Sequence, residues 1–149
     1  MASSPVPEPT PRLAYETATV LRIIDGDTFD ARLVAGRTER IRPPQFDAPE
    51  HGECWHDEAT AMLNQLIGGR VVHLIPLTEG PDRDRHGRLL RAVEIDGEDI
   101  GARMLEAGAA RWLDRYAHED ARLAAMCEAA EERAREKGQG AWTACPDWL

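Results

Sequence analysis

Hydrophobic and polar positions alternate over short runs in the first part of the chain, as is typical of β-strands. Residues 18–24 are rich in β-branched side chains, and an Asp-Gly-Asp turn signal ends the run. Residues 28–34 then place their apolar side chains at a period of two. After a second turn at Ala35-Gly36, residues 37–42 continue the pattern. These runs predict a three-stranded meander.

Helical spacing of apolar side chains alternates with strand patterns in the rest of the chain. The pattern predicts two more strands, at 71–77 and 89–95, and helices at 57–67, 99–106 and 119–137. The order β-β-β-α-β-β-α-α predicts a β-rich α+β domain: a five-stranded Greek-key OB-fold barrel with three helices.

Composition and charge narrow the possible classes of protein. The chain has 149 residues, with 18 Lys and Arg against 27 Asp and Glu, and a net charge of −9. This length suits one domain, predicted over residues 18–149 behind a disordered, Pro-rich tail of residues 1–17. No apolar run approaches the roughly 18–20 residues that cross a bilayer. We expect a monomer that does not enter a membrane.

The acidic balance by itself argues against a nucleic-acid partner, because phosphate binding usually requires a basic surface. The excess acid is local, however. Residues 94–136 hold 12 acidic residues and 6 arginines, whereas residues 70–93 hold 5 arginines and 3 acidic residues. The charge therefore predicts weak, salt-dependent capture of a polyanion and does not exclude chemistry on one.

Cysteine usage leaves the redox state open. Cys54, Cys127 and Cys145 are widely spaced and form no C-x-x-C pair, which disfavours a zinc ribbon or a thioredoxin-like site. One disulfide with a free thiol and three reduced thiols both remain possible. Cys127 lies on the apolar face of the last predicted helix, so we expect it in the core. We expect a cytoplasmic protein if Met1 is native, and a secreted or envelope protein if a signal peptide was removed.

Carboxylates and arginines gather in three segments that could act together. Asp27 opens a strand after a tight turn, Arg42 precedes a Pro-bounded loop with Asp47 and Glu50, and Arg88 lies in a later turn. Carboxylates from two segments would make an oxygen-rich pocket for a hard cation such as Ca²⁺. Two arginines could hold a phosphodiester, and a third carboxylate could accept a proton from water. The pattern predicts a phosphodiesterase site.

These segments resemble the staphylococcal nuclease (thermonuclease) family. The resemblance rests on Asp25-Gly26-Asp27-Thr28, on Arg42 five residues before Asp47-Ala48-Pro49-Glu50, and on Asp84-x-x-Gly87-Arg88, and it covers roughly residues 18–142. It implies an endonuclease that cleaves DNA or RNA with little sequence specificity and leaves 3′-phosphates.

The resemblance also implies a role for each matching residue. Asp27, Asp47 and the main-chain carbonyl of Ala48 would bind Ca²⁺. Glu50 would be the general base or would orient the attacking water, and Arg42 and Arg88 would bind the scissile phosphate and stabilise the transition state. Further substrate contacts are expected from Arg85, His86 and Tyr116.

The chain departs from the family pattern just before Asp47, and two other interpretations of its motifs exist. Pro43-Pro44-Gln45-Phe46 replace the usual apolar residues before Asp47, so the aim of Arg42 is less well defined than that of Arg88. His51, Cys54 and His56 could suggest a transition-metal site, but no second cluster supports one. The alternative function is a non-catalytic nucleic-acid- or partner-binding domain, which typically lacks the acids and arginines that this chain keeps.

Overall fold

A computed structural model describes residues 15–114 and 120–149 of the chain. The strands are β1 (Glu16–Asp25), β2 (Thr28–Leu33), β3 (Thr38–Ile41), β4 (Phe46–Asp47), β5 (Val71–Pro76), β6 (Arg91–Ile95), β7 (Glu98–Asp99) and β8 (Arg111–Trp112). The helices are α1 (His56–Ile67), α2 (Ile100–Glu106), α3 (Ala121–Lys137) and α4 (Ala141–Ala144), followed by a 3₁₀ turn at Pro146–Trp148.

The strands form two antiparallel sheets. Six of them pair in the order β3-β2-β1-β5-β6-β7, and the short strands β4 and β8 pair with each other. The register between β1 and β2 shifts twice, once after Val20 and once after Ile23, and the last pair joins Asp25 to Thr28. Such irregularities increase the twist of a strand, so they turn the end of β1 relative to the rest of the sheet.

One apolar core lies between the larger sheet and the helices. Side chains of alternate positions on β1 and β2 are buried in it, as the period of two predicts. Helix α1 contributes Ala59, Leu63 and Ile67, which follow helical spacing. The predicted core position of Cys127 is confirmed, because its side chain is fully buried.

The sequence located helix ends well. The Asp99 carboxylate caps α2 by accepting a hydrogen bond from Ala102 N, as expected. Asp120 caps α3 in the same way, and Gly138 ends that helix with a φ of 64°. The predicted tail of residues 1–17 is too long at its end, because Glu16 and Thr17 already lie in β1 and pair with β5. Residues 1–14 lie outside the described part, and there the tail stays a prediction.

The α+β class is confirmed, but the closed five-stranded barrel is not. Hydrogen bonding across the larger sheet runs in an open line of six strands that ends at β3 and β7. Near one end, an isolated parallel bridge joins Ile41 to Leu89. The prediction of five strands and three helices also missed β4, β7, β8 and α4, because segments of two to four residues carry no readable period.

A second apolar cluster closes the C-terminal end of the fold. Ala134, Ala141, Trp142, Cys145 and Trp148 form it, and Trp55 packs against both this cluster and the main core. A disulfide between Cys54 and Cys145 crosses the same region. Within residues 15–114 and 120–149, no helix is both long enough and apolar enough to cross a bilayer.

Candidate functional site

The turn between β1 and β2 presents Asp27 to the rest of the site. Asp27 N donates to Asp25 Oδ1 at 3.0 Å, which closes the turn. A Cβ atom on Gly26 would lie 2.7 Å from the Ala48 Cβ and 2.9 Å from the Ala59 Cβ. Glycine is therefore required here by close packing: its absent side chain lets the turn contact both the Ala48 loop and α1.

The Asp27 carboxylate is buried, and both of its oxygen atoms accept hydrogen bonds. Its Oδ2 accepts a hydrogen bond from Ala48 N at 2.9 Å, and its Oδ1 accepts one from Thr28 Oγ1 at 3.0 Å. Burial raises the pKa of Asp27 to about 7, Arg42 opposes that rise, and the neighbouring Asp25 adds to it. The site thus holds a carboxylate whose charge is only partly compensated by its protein neighbours.

Arg42 joins the two carboxylate-bearing segments. Its Nη2 lies 3.3 Å from Asp27 Oδ2 and 3.2 Å from Asp47 Oδ1. Its Nη1 donates to the carbonyl oxygens of Phe46, at 2.7 Å, and Pro43. The unusual proline segment therefore curls around the guanidinium, and Arg42 does reach the site.

Asp47 and Glu50, on the loop that follows Arg42, are both exposed. The Asp47 side chain is 53% exposed, although Arg42 contacts it. The next residue, Ala48, is buried, and its backbone N–H donates a hydrogen bond to Asp27 Oδ2. Glu50 is exposed, and its backbone N–H donates to Glu53 Oε1 at 2.7 Å. An exposed carboxylate can meet water and substrate, which a general base must do.

The backbone next to Arg88 pairs with the backbone of Arg42, but the Arg88 side chain has a separate ion-pair partner. Leu89, the next residue, accepts a hydrogen bond from Arg42 N and donates one to Arg40 O, both at 2.9 Å. The Arg88 Nε donates to Asp84 Oδ2 at 2.6 Å. Burial raises the pKa of Asp84, but hydrogen bonds from Arg88 and from His86 N outweigh it and hold that pKa below its usual value. Asp84 therefore fixes Arg88 as an ion pair.

The remaining predicted substrate contacts are less defined. Arg85 and His86 are exposed at the tip of the same turn, where Arg85 Nε lies 3.3 Å from His86 Nε2. Tyr116 lies outside the described residues. The transition-metal reading of His51, Cys54 and His56 fails, because Cys54 is bonded to Cys145.

Arg111 was missed by the sequence reasoning. It pairs with Asp47 across β4 and β8, and its guanidinium carbon lies 4.5 Å from the Trp148 ring centroid and 5.9 Å from that of Trp142. Only the two-residue strand pair brings these residues together. No local signal identifies such a short pair, so sequence alone could not have found it.

The donor set has the chemistry of a hard-cation site. Asp27, Asp47 and the Ala48 carbonyl would offer only oxygen atoms, which Ca²⁺ prefers. One cationic group, the Arg42 guanidinium, already bridges the two carboxylates. In the part of the chain that the structure describes, no three His, Cys, Asp or Glu side chains form a metal-binding group. Two carboxylates and one carbonyl would fill only part of the roughly 6–8 oxygen positions around a Ca²⁺ ion, and water would have to supply the others.

Comparison with known proteins identifies a family for this chain. The profile of the family described as staphylococcal nuclease homologue matches residues 39–144. A protein named micrococcal nuclease from Shigella flexneri is 35% identical over 133 residues, which cover 83% of this chain and 72% of that protein. An uncharacterized endonuclease from Haemophilus influenzae is 28% identical over 85% of this chain and 66% of its own length.

A third relative carries a different name. Protein ParB from Escherichia coli is 33% identical over 143 residues, covering 90% of this chain and 76% of that protein. The family match spans most of the chain and includes Arg42, Asp47, Glu50 and Arg88. The chain belongs to the staphylococcal nuclease homologue family, as the three sequence motifs predict.

Proposed function

We propose that this protein is a Ca²⁺-dependent endonuclease that hydrolyses phosphodiester bonds of DNA or RNA with little sequence specificity and leaves 3′-phosphates. The observation that carries the proposal is the contact of one guanidinium, Arg42, with Asp27 and Asp47. These acids come from segments twenty residues apart in the sequence. Nuclease relatives in the same family support the reaction class.

Ca²⁺ would be held by Asp27, Asp47 and the Ala48 carbonyl. When bound, it would supply positive charge beside the scissile phosphate. The carbonyls of Pro43 and Phe46 hold Nη1 of Arg42, so the guanidinium is oriented before substrate arrives. Its Nη2, which now contacts the two carboxylates, is the nitrogen that would turn towards a phosphate oxygen.

Glu50 would take a proton from a water molecule as the water oxygen attacks phosphorus. Cleavage of the bond from phosphorus to the 5′-oxygen then leaves the phosphate on the 3′ side, and the 5′-oxygen gains a proton from solvent. Arg42 and Arg88 would neutralise charge that develops on the phosphoryl oxygens. Asp84 accepts a hydrogen bond from Arg88 Nε at 2.6 Å and so fixes one side of this guanidinium.

Substrate recognition would depend on the backbone and on base stacking. Arg85, His86 and Tyr116 are the proposed contacts with the substrate strand, through phosphate and through stacking on bases, neither of which specifies a sequence. The net charge of −9 opposes long-range attraction of a polyanion. We expect weak binding whose salt dependence is set by the number of phosphates that the arginines of the site contact.

The test uses denatured DNA in Ca²⁺ or in chelator, with Glu50→Gln and Arg88→Gln as site variants. We expect cleavage to fall by about 10²-fold or more in each, the usual effect of losing a general base or a charge-stabilising donor. Glu98→Gln and Arg70→Gln are the controls, since each removes the same charge from an exposed ion pair that contains none of the proposed site residues. Both controls should cleave at the parental rate.

Product ends and metal dependence complete the test. Labelled fragments should carry 3′-phosphates, and chelator should abolish cleavage. Parental cleavage by either site variant would show that the site is wrongly assigned. Retained DNA binding without cleavage in any divalent metal would favour the alternative function, a non-catalytic binding domain.

A further inference from the structure

The turn that carries Glu50 is closed by its own hydrogen bonds. Glu50 N donates to Glu53 Oε1 at 2.7 Å, and Glu53 N donates back to Glu50 O at 2.9 Å. At the end of the turn, His56 N donates to Glu53 O at 3.2 Å, and His56 Nδ1 lies 2.9 Å from Pro49 O. The Glu53 side chain therefore holds the backbone of the residue proposed as the general base.

A disulfide fixes the next residue of this turn to the C-terminal segment. Cys54 is bonded to Cys145, with 5.8 Å between their Cα atoms and 91 residues between them in sequence. Cys145 is fully buried in the C-terminal apolar cluster with Trp142 and Trp148. The turn is thus anchored at Cys54 on a packed part of the fold.

The binding residues of the site do not depend on this anchor. Asp27 is held by Ala48 N and Thr28, and Arg42 by carbonyls of its own loop. Loosening the turn would move Glu50 while leaving the carboxylate pair and Arg42 connected. Loosening the turn should therefore slow bond cleavage more than it weakens substrate binding.

The disulfide is also open to chemical attack from one side. Cys54 is exposed, whereas Cys127 is buried, and burial raises the pKa of the Cys127 thiol above its ordinary value. A small thiol can therefore reach Cys54, and the buried Cys127 is poorly placed to compete in exchange.

We propose that Glu53 and the Cys54–Cys145 disulfide are positioning elements for Glu50, so that the rate of phosphodiester cleavage depends on the redox state of the protein. The inference rests on the proposed role of Glu50. Reduction by a small dithiol breaks the Cys54–Cys145 bond in two exchange steps. The dithiol loses two electrons and two protons and becomes a cyclic disulfide, while the two cysteines become thiols.

The first experiment compares oxidised and dithiol-reduced protein, with Cys54→Ser/Cys145→Ser as a permanently open form and Cys127→Ser as the control. We expect kcat on denatured DNA to fall about tenfold to a hundredfold on reduction, the usual effect of misplacing a reacting group by about an ångström. KM should change less than threefold. Circular dichroism at the assay temperature confirms that the reduced form is folded. Unchanged kcat, or a loss confined to KM, overturns the proposal.

A second experiment works in the oxidised protein and so does not depend on how the reduced form folds. Glu53→Ala should lower kcat by a similar factor, whereas Glu53→Gln should restore it, because the amide oxygen can still accept from Glu50 N. Glu58→Ala removes an exposed carboxylate from the adjacent helix and is the matched control. Parental kcat in Glu53→Ala overturns the positioning role of Glu53.

Amide hydrogen exchange separates this inference from the proposed function. On reduction, exchange at Glu50, Glu53 and His56 should speed up at least tenfold, while the amides between β1 and β2 stay protected. If the oxidised protein shows no cleavage, the proposed function has failed and exchange alone decides the positioning. Unchanged exchange in the turn then overturns it.

Discussion

Replacing Asp99 by Asn should stabilise the protein at alkaline pH. The Asp99 side chain is 7% exposed and accepts from Ala102 N at 2.8 Å and from Gln45 Nε2 at 3.2 Å. Burial raises its pKa from 3.8 to about 6, hydrogen bonds from Ala102 and Gln45 oppose the rise, and Glu94 adds to it. Glu94 is its partner across β6 and β7, so a second acid faces it.

The sign of the effect follows from proton counting. Between pH 3.8 and about 6 the folded protein holds more of the Asp99 proton than the unfolded chain does, so the free energy of unfolding falls as pH rises. Above this window the loss reaches at most about 3 kcal/mol, since one pKa unit corresponds to about 1.4 kcal/mol. Below pH 3.8 the Asp99 carboxyl is protonated in both the folded and the unfolded state, so no stability is lost there.

Asn should keep the local contacts without the charge. Its Oδ1 can accept from Ala102 N, because Asn caps helices as well as Asp does. With the Gln45 side-chain amide turned over, the new amide group can donate to Gln45 Oε1, a buried oxygen that has no hydrogen-bond partner in its present orientation. We therefore expect Asp99→Asn to match the parent near pH 4 and to exceed it by about 1–3 kcal/mol at pH 8.

Urea unfolding at pH 4, 6 and 8 measures this difference, with equal m-values as the check that both proteins unfold alike. Asp96→Asn is the control, because that side chain is 79% exposed and its removal should give no such pH trend. A variant that is less stable than the parent at pH 8, by an amount independent of pH, would refute the reasoning. Asp99 would then stabilise the fold as a charged cap.

Two further predictions concern the site. Gly26→Ala should destabilise the protein by about 1–3 kcal/mol, because the added methyl group meets Ala48 and Ala59 below normal contact distance. Thermal unfolding measures the loss, and an unchanged midpoint would contradict the packing argument. Arg42→Lys should lower the rate of cleavage by about tenfold or more, since one ammonium group cannot bond to the two carbonyl oxygens and both carboxylates at once. Steady-state kinetics measure this rate, and a parental rate would show that Arg42 has no part in the mechanism.

The site was predictable where residues close in sequence carry it. The Asp-Gly-Asp turn and the Asp47-Ala48-Pro49-Glu50 loop contain their own turn signals, so their chemistry could be recognised in a row of letters. That Arg42 points into the site was an expectation made less definite by Pro43-Pro44. Only the folded loop shows that Pro43 and Phe46 direct their carbonyls onto the guanidinium.

Other features depend on segments that meet only in the fold. The Cys54–Cys145 bond joins cysteines 91 residues apart, and spacing alone left several redox states open. The pairing of Asp47 with Arg111 depends on two-residue strands, which have no period. In the sequence Glu53 is an ordinary surface acid, and only the structure shows that its side chain accepts a hydrogen bond from Glu50 N.

The sequence by itself determined the class of the fold, the ends of its main helices and the residues of the nuclease motifs, because local periodicity, capping and turn chemistry are properties of neighbouring residues. The tertiary structure decided how the sheet is ordered, which carboxylates share Arg42, and how the Glu50 turn is anchored. These depend on contacts between distant segments, whose formation is set by packing of the whole chain.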